Sequence, residues 1–276
     1  MGSTGAKKAG GGIGALTGAT PSAETETESK VNPKPTSDDD LEELAKYPTK
    51  DANDLEGVTD FSDSGWSGTD KWFANPKLSN YTEWKDGLTG AQMDAIEDYT
   101  GSGYSDLNAA LYGTNWDDMS DSAKKTASNL YEAINNFELN KAIHVARGAE
   151  LRQTLGFAYG EVDFYNPEKA VQQIKNKLAE TGGVYQYNGF QSTSTGSYPA
   201  FGGGKGLIIH YTIPPSKGAG AYLRPLSMHS GEREFTLNTN AVVRFDPNSV
   251  VYKGGTYHIN AEWLGQAKDQ KFKKKK

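Results

Sequence analysis

The chain has 276 residues, 36% hydrophobic and 23% charged, with a formal net charge of −6 and no cysteine. That length suffices for one large domain or two small ones, and the missing cysteine excludes disulfide scaffolds, thiolate metal sites and cysteine nucleophiles. The negative balance does not favour general nucleic-acid binding, and no apolar run approaches the roughly 20 residues that a membrane span needs.

Residues 1–60 read as disordered: Gly10-Gly11-Gly12, a Ser/Thr/Glu-rich stretch, Pro33, Pro35 and Asp38-Asp39-Asp40 leave too few large apolar side chains to offset chain entropy. No secretory leader is expected in the first twenty residues, which lack a continuous apolar core. Aromatic density rises at Phe61, followed by Trp66, Trp72, Phe73, Tyr81 and Trp84, so the folded domain is placed at 61–265. Thr89 is expected to cap a helix that carries Met93, Ile96 and Tyr99 on one face, with Gly101 and Gly103 breaking it. A second helix runs from Tyr104 through Leu107, Asn108 and Leu111 to Gly113. A third, capped by Ser120, repeats Ala123, Ala127, Leu130, Ile134 and Phe137 at helical spacing.

Beyond residue 141 the pattern changes. Residues 142–147 read as a strand. Asn166-Pro167-Glu168 starts a helix, with proline at the first helical position and Ala170, Val171, Ile174 and Leu178 inward. Strand-like runs follow at 184–187, 190–194, 206–213, 220–224, 233–237, 241–245 and 250–259. Helices first and strands second predict an α+β domain rather than alternating βαβ units. Residues 266–276 form a lysine-rich basic tail. It reads as a solvated end, with RNA, a membrane surface or an acidic partner as possible contacts.

Four segments could carry chemistry. Glu232 and Glu234 alternate at the start of a strand-like run, which puts both carboxylates on one face about 7 Å apart. Two such carboxylates call for a cation between them. Ser192-Thr193-Ser194 offers consecutive hydroxyls that can fix a carboxylate rotamer. Arg147-Gly148 ends an apolar strand, where a guanidinium fork suits phosphate or carboxylate. Phe201-Gly202-Gly203-Gly204-Lys205 combines an aromatic, a flexible run and a cation, without the spacing of a Walker loop. Taken singly, each also suits a plain structural role: a charged strand edge, an edge strand, a surface arginine, a glycine hinge. The four histidines, at 144, 210, 229 and 258, have no metal-ligand spacing, so no metal is expected. Neither a G-x-S-x-G elbow nor a G-x-G-x-x-G turn after a strand occurs, which disfavours hydrolases of that type and a Rossmann dinucleotide site.

The order is the stronger signal. Arg147, then Ser192-Thr193-Ser194 some 45 residues on, then Glu232-x-Glu234 about 40 further, resembles the Arg / Ser-Thr-Ser / Glu-x-Glu signature of mono-ADP-ribosyltransferases. The likeness is to the arginine-modifying branch, with its actin-modifying clostridial-type toxins and phage-encoded transferases. It covers roughly residues 85–260 and extends to Tyr99, Tyr104 and Asn108, which resemble the helix and loop that cover the cofactor.

The resemblance implies an α+β fold with N-terminal helices packed on a two-sheet β core and a central NAD cleft, and NAD as a substrate with no metal. Arg147 would anchor an NAD phosphate, Gly148 would present its backbone to the nicotinamide amide, and Phe201 would pack on the nicotinamide ring. Lys205 would be a second phosphate contact. Thr193 would belong to the same NAD-binding strand, and Tyr99, Tyr104 and Asn108 would close the adenine and phosphate side. Glu234 would be the catalytic glutamate at the nicotinamide ribose, oriented by Ser192. Glu232 would hold and deprotonate the acceptor. A Glu at that first position goes with guanidinium acceptors, so the implied reaction is transfer of ADP-ribose to arginine of a target protein in the cytoplasm of a host or target cell, whether the chain is virion-packaged or secreted. Residues 226–230, with His229 where the family often has an aromatic, correspond to the target-recognition loop. The family's arginine is often followed by a second basic residue; Gly148 stands there, with Arg152 as a candidate substitute. The alternatives are a nucleic acid or RNA-linked acceptor, and a non-catalytic virion or binding protein.

Overall fold

A computed structural model of the chain describes residues 80–113, 115–195, 199–201 and 206–267. The expected disordered segment, the domain start near Phe61, the glycine run with Lys205 and the lysines of the tail lie outside the described residues.

The helical half comes first. Helix α1 spans Tyr81–Asp86 and α2 spans Gly90–Asp98. Thr89 caps α2 through a reciprocal pair: its hydroxyl accepts the Gln92 N–H and the Gln92 side chain accepts the Thr89 N–H. Ala95, Ile96 and Tyr99 turn inward, whereas Met93 points outward at 43% exposure. The glycines expected to break the helix instead kink it. Tyr99–Gly103 forms a π-turn with Gly101 outside helical dihedrals, and the chain continues directly into α3, Tyr104–Gly113. Helix α4, Asp121–Asn135, is capped by Ser120 and buries Ala127, Leu130, Ala133 and Ile134. Trp84 donates its indole N–H to the Ala133 carbonyl at 2.8 Å and packs edge-on against Phe137, joining α1 to the end of α4.

Strand β1 (Glu138–Leu139) is followed by β2 (Ile143–Glu150), a short helix α5 (Leu151–Leu155) and α6 (Pro167–Glu180), capped by Asn166 as its sequence predicts. Gly182 and Gly183 take left-handed conformations after α6. At Gly183 a Cβ would lie 2.6 Å from the Phe245 carbonyl oxygen, so glycine is required there.

The remaining strands are β3 (Val184–Tyr187), β4 (Gln191–Ser194), β5 (Gly206–Ile213), β6 (Ser216–Lys217), β7 (Gly220–Tyr222), β8 (Glu234–Leu237), β9 (Ala241–Phe245), β10 (Val251–Lys253) and β11 (Thr256–Gln266). The run expected as one strand over 250–259 is a hairpin: β10 turns through Gly254-Gly255 into β11, which continues to Gln266. The main sheet runs β3-β9-β11-β5-β2-β4-β8-β7, and β1 pairs with β6 apart from it. Strand β2 meets β4 through a single residue pair, Ala146 with Ser194. The sheet therefore has two limbs, β3-β9-β11-β5-β2 and β4-β8-β7, hinged where β2 carries Arg147 and β4 carries the hydroxyl run. The helices dock on the smaller limb through Tyr81 against Tyr222 and Phe137 against Phe235. The π-turn meets the limb junction directly, through Tyr99 and Ser192 at 3.0 Å, and α3 after it shares a groove with the junction.

Candidate active site

Glu234 opens β8, and β8 pairs antiparallel with β4 in the register Ser192 with Thr236 and Ser194 with Glu234. Directly opposed residues share a face, so four polar side chains lie together. Glu234 is only 5% exposed. Thr236 donates its hydroxyl to Glu234 Oε1 at 2.8 Å, and Ser192 also hydrogen-bonds the carboxylate. Ser192 Oγ in turn lies 3.0 Å from the hydroxyl of Tyr99, which is itself buried. Burial pushes the Glu234 carboxyl above the usual carboxylate range. The Ser192 and Thr236 bonds oppose that rise, the charge of Glu232 adds to it, and His229 counters it. The result is a desolvated carboxylate with a fixed rotamer, suited to stabilise positive charge that develops beside it.

Glu232 departs from the expectation that both glutamates share one strand face. It ends a 3₁₀ turn, Ser230–Glu232, and is exposed. Arg233 between them takes a left-handed conformation (φ 54°, ψ 45°), so strand alternation begins only at Glu234. A non-glycine residue there costs on the order of 1–2 kcal/mol. The neighbouring hydroxyls offset it. Thr195 donates both its N–H (3.1 Å) and its hydroxyl (3.2 Å) to the Arg233 carbonyl, and Ser194 donates to the Glu232 carbonyl at 2.9 Å. The hydroxyl run thus divides its work: Ser192 serves a carboxylate, and Ser194 and Thr195 hold the turn. Thr193, expected at the cofactor, is fully buried, and its hydroxyl is given to the Phe235 carbonyl. Its side chain alternates to the core face of β4, which removes it from the groove.

Beside this cluster lies an open groove, lined among others by Tyr104, Asn108, Arg147, Gln191, Ser192 and Phe201. Arg147 projects from β2, donates to Gln191 Oε1, and stands 5.4 Å from the Phe201 ring centroid. Gln191 donates in turn to the Tyr112 hydroxyl. The guanidinium is therefore set by an amide, a phenol and a ring face. Phe201 has a left-handed backbone (φ 61°) and meets Tyr104 at 5.9 Å. Asn108 accepts the Phe190 N–H at 2.9 Å, pinning α3 to the start of β4.

Tyr99 does not line the groove: it lies beneath, against Phe190 at 5.5 Å, and reaches the cluster only by its contact with Ser192. The Gly148 N–H, expected to face a ligand, donates to the Ala200 carbonyl at 2.6 Å, and the Ala200 N–H returns a bond to Ala146. Arg152 pairs with Glu150 and packs on Tyr159, outside the groove. Sequence reasoning missed Gln191, Tyr112 and Thr236. Only Thr236 had a readable signal, because two residues past Glu234 on a strand is the same face.

A family model described as ADP-ribosyltransferase exoenzyme matches residues 75–263. The chain belongs to that family. Among solved structures, an ADP-ribosyltransferase toxin, Plx2a from Paenibacillus larvae, is similar at 20% identity with a TM-score of 0.56, over 72% of this chain and 96% of that one. An ADP-ribosyltransferase from Clostridium botulinum is similar at 21% identity and TM-score 0.56, over 68% of this chain and 93% of that one. The ADP-ribosylating toxin BECa of C. perfringens, solved with NADH, is similar at 20% identity and TM-score 0.58, over 72% of this chain and 48% of that one. This chain thus spans about half the length of BECa and nearly all of the other two. At these identities the likeness is one of fold. A search of curated proteins found no match. Within the family fold, the groove and the Glu234 cluster sit at the junction of the two sheet limbs.

Proposed function

We propose that the chain transfers ADP-ribose from NAD to the guanidinium of an arginine in a target protein, with release of nicotinamide, in the cytoplasm of a target cell. The observation that carries this reading is the split carboxylate pair. Glu234 is buried and clamped by Ser192 and Thr236, while Glu232 is displayed on an adjoining exposed turn.

In this reading Arg147, held by Gln191, meets an NAD phosphate as a planar fork. Phe201 and Tyr104 supply ring faces beside it. Cleavage of the bond between nicotinamide and C1′ sends its electron pair to the nicotinamide nitrogen and leaves positive charge on the ribose. Glu234 stabilises that charge, in the manner of a glycosidase carboxylate. A guanidinium nitrogen of the acceptor then bonds to C1′, and Glu232 accepts the proton it releases. A second carboxylate outside the first is a fitting holder for an arginine side chain, through two charge-assisted bonds.

The test is incubation with labelled NAD and a lysate of candidate target cells. Labelled protein whose adduct is released by neutral hydroxylamine, together with free nicotinamide, is expected. Label that resists hydroxylamine would overturn arginine as the acceptor. Undiminished labelling by a Glu234→Ala variant would overturn the role of Glu234.

A further inference from the structure

The loop between β7 and β8, residues 223–233, carries Glu232, and its hydrogen bonds fall into four sets. Its base is closed by the Leu223 N–H on the Glu234 carbonyl at 2.9 Å. Its own turns are tied by Arg224 Nε on the Ser230 carbonyl (2.7 Å), the His229 N–H on Ser227 Oγ (3.0 Å) and the Glu232 N–H on the His229 carbonyl (2.9 Å). On the sheet side, Ser194 and Thr195 hold the carbonyls of Glu232 and Arg233.

The fourth set joins the loop to the helical half. The Met228 N–H donates to Thr100 Oγ1 at 3.2 Å, and the Thr100 hydroxyl donates back to the Glu97 carbonyl at 3.4 Å. Thr100 is buried, at 5% exposure, although it belongs to a polar π-turn. Gly101 leaves the room that Met228 needs: a Cβ there would lie 3.2 Å from Met228 Sδ. Met228 itself stays 62% exposed at the apex. The residue before Thr100 is Tyr99, whose hydroxyl touches Ser192 beside Glu234. One π-turn therefore contacts both the support of the buried glutamate and the apex of the loop that displays the exposed one. A helix does not need the extra residue of such a turn, and such turns are frequent at functional sites.

We propose that Thr100 is a positioning residue for the acceptor: its hydroxyl sets the height of the 227–230 apex, and so of Glu232, above the groove. This rests on the transfer reading above. Removing the hydroxyl leaves the Met228 N–H unpaired, and the His229–Glu232 bond carries the loosening on to Glu232. The step at the ribose uses Glu234, Ser192 and Thr236, which Thr100 does not touch.

The experiment compares Thr100→Val and Thr100→Ser with the parent chain. With agmatine as the guanidinium probe, Thr100→Val should raise the KM for agmatine about 5- to 10-fold, the loss of roughly one hydrogen bond. NAD hydrolysis without agmatine should stay within about twofold, and Thr100→Ser should restore the parent KM. Hydrogen exchange by mass spectrometry should show faster exchange over 223–233 in Thr100→Val only. Equal loss of hydrolysis and transfer would assign Thr100 a structural role and overturn the proposal. So would unchanged exchange across the loop, or failure of serine to restore it. The exchange readout needs no catalysis: a parent chain that neither hydrolyses NAD nor modifies agmatine would defeat the transfer reading, while the exchange result still judges the tether.

Discussion

The Thr236→Val substitution isolates the environment of Glu234. Valine keeps the volume and β-branching of threonine, so β8 should stay paired, but the 2.8 Å bond to Glu234 Oε1 is lost. A hydrogen bond to a charged group contributes about 1.5–3 kcal/mol, and its loss falls on the ionised form, so the Glu234 pKa should rise further. Burial has already pushed it upward, and the Thr236 bond works against that push. In the proposed reaction the ionised carboxylate stabilises the ribosyl cation, so the acid limb of kcat for nicotinamide release should move toward neutral pH. Stability gives an independent check. A carboxyl whose folded pKa lies above its unfolded value contributes stability that is fully present below the unfolded pKa. That contribution is lost as pH rises through the folded pKa. The Thr236→Val deficit should therefore be small in acid and reach about 1.5–3 kcal/mol near neutrality, where a domain of this size loses very roughly 3–10 °C in Tm. The assay is a pH–rate profile of nicotinamide release beside melting curves from acid to neutral pH. An acid limb that stays in place, with a pH-independent melting deficit, would refute the reasoning.

Glu232→Gln should move the same limb the other way, toward acid, because the charge of Glu232 raises the Glu234 pKa; it should cut transfer to guanidinium acceptors about 100-fold or more while NAD hydrolysis falls only a few-fold. Parallel loss of both activities in one preparation would count against separate roles for the two glutamates. Arg147→Lys keeps the charge but loses the planar fork that Gln191 and Phe201 hold, so the KM for NAD should rise about tenfold, with kcat less affected. An unchanged KM would remove Arg147 from the binding site. Gly220→Ala would place a Cβ 2.6 Å from the Thr236 carbonyl, on the strand next to the one that carries Glu234, and should cost about 1–3 kcal/mol in a denaturant titration. A midpoint equal to that of the parent would mean that β7 can move away from β8 freely.

Much of the fold was legible because helix caps and strand alternation are local. Thr89, Ser120 and Asn166 each cap the helix that their sequence context announces. The order of Arg147, the hydroxyl run and the glutamates pointed to the groove for a different reason: short motifs keep their order when the intervening sequence does not matter to the chemistry. What escaped was whatever depends on backbone conformation or on distant partners. Gly101 and Gly103 read as helix breakers, yet the chain passes through a π-turn, since glycine permits a kink without forcing an end. Glu232 read as a strand residue because nothing in Arg233 announces a left-handed conformation. That state is fixed by Thr195, 38 residues away in sequence. Gln191 and Tyr112 gain meaning only from the meeting of α3, β2 and β4, a tertiary fact with no periodic trace in the sequence.

The departure at Arg233 makes chemical sense of the site. Strand alternation would have put both glutamates in one environment, and two adjacent carboxylates buried together would each raise the pKa of the other. The two proposed steps ask for opposite surroundings. Charge at C1′ is stabilised best by a dry, fixed carboxylate, whereas an arginine on the surface of another protein must be met where that protein can reach. A single left-handed residue changes the environment between two positions two apart: Glu234 enters the β4–β8 ladder and is buried, and Glu232 remains on the exposed turn. The hydroxyls of Ser194 and Thr195 hold the carbonyls of Glu232 and Arg233, at that change. The Ser-Thr-Ser-Thr run is thus as much a device for separating two carboxylates as for orienting one of them.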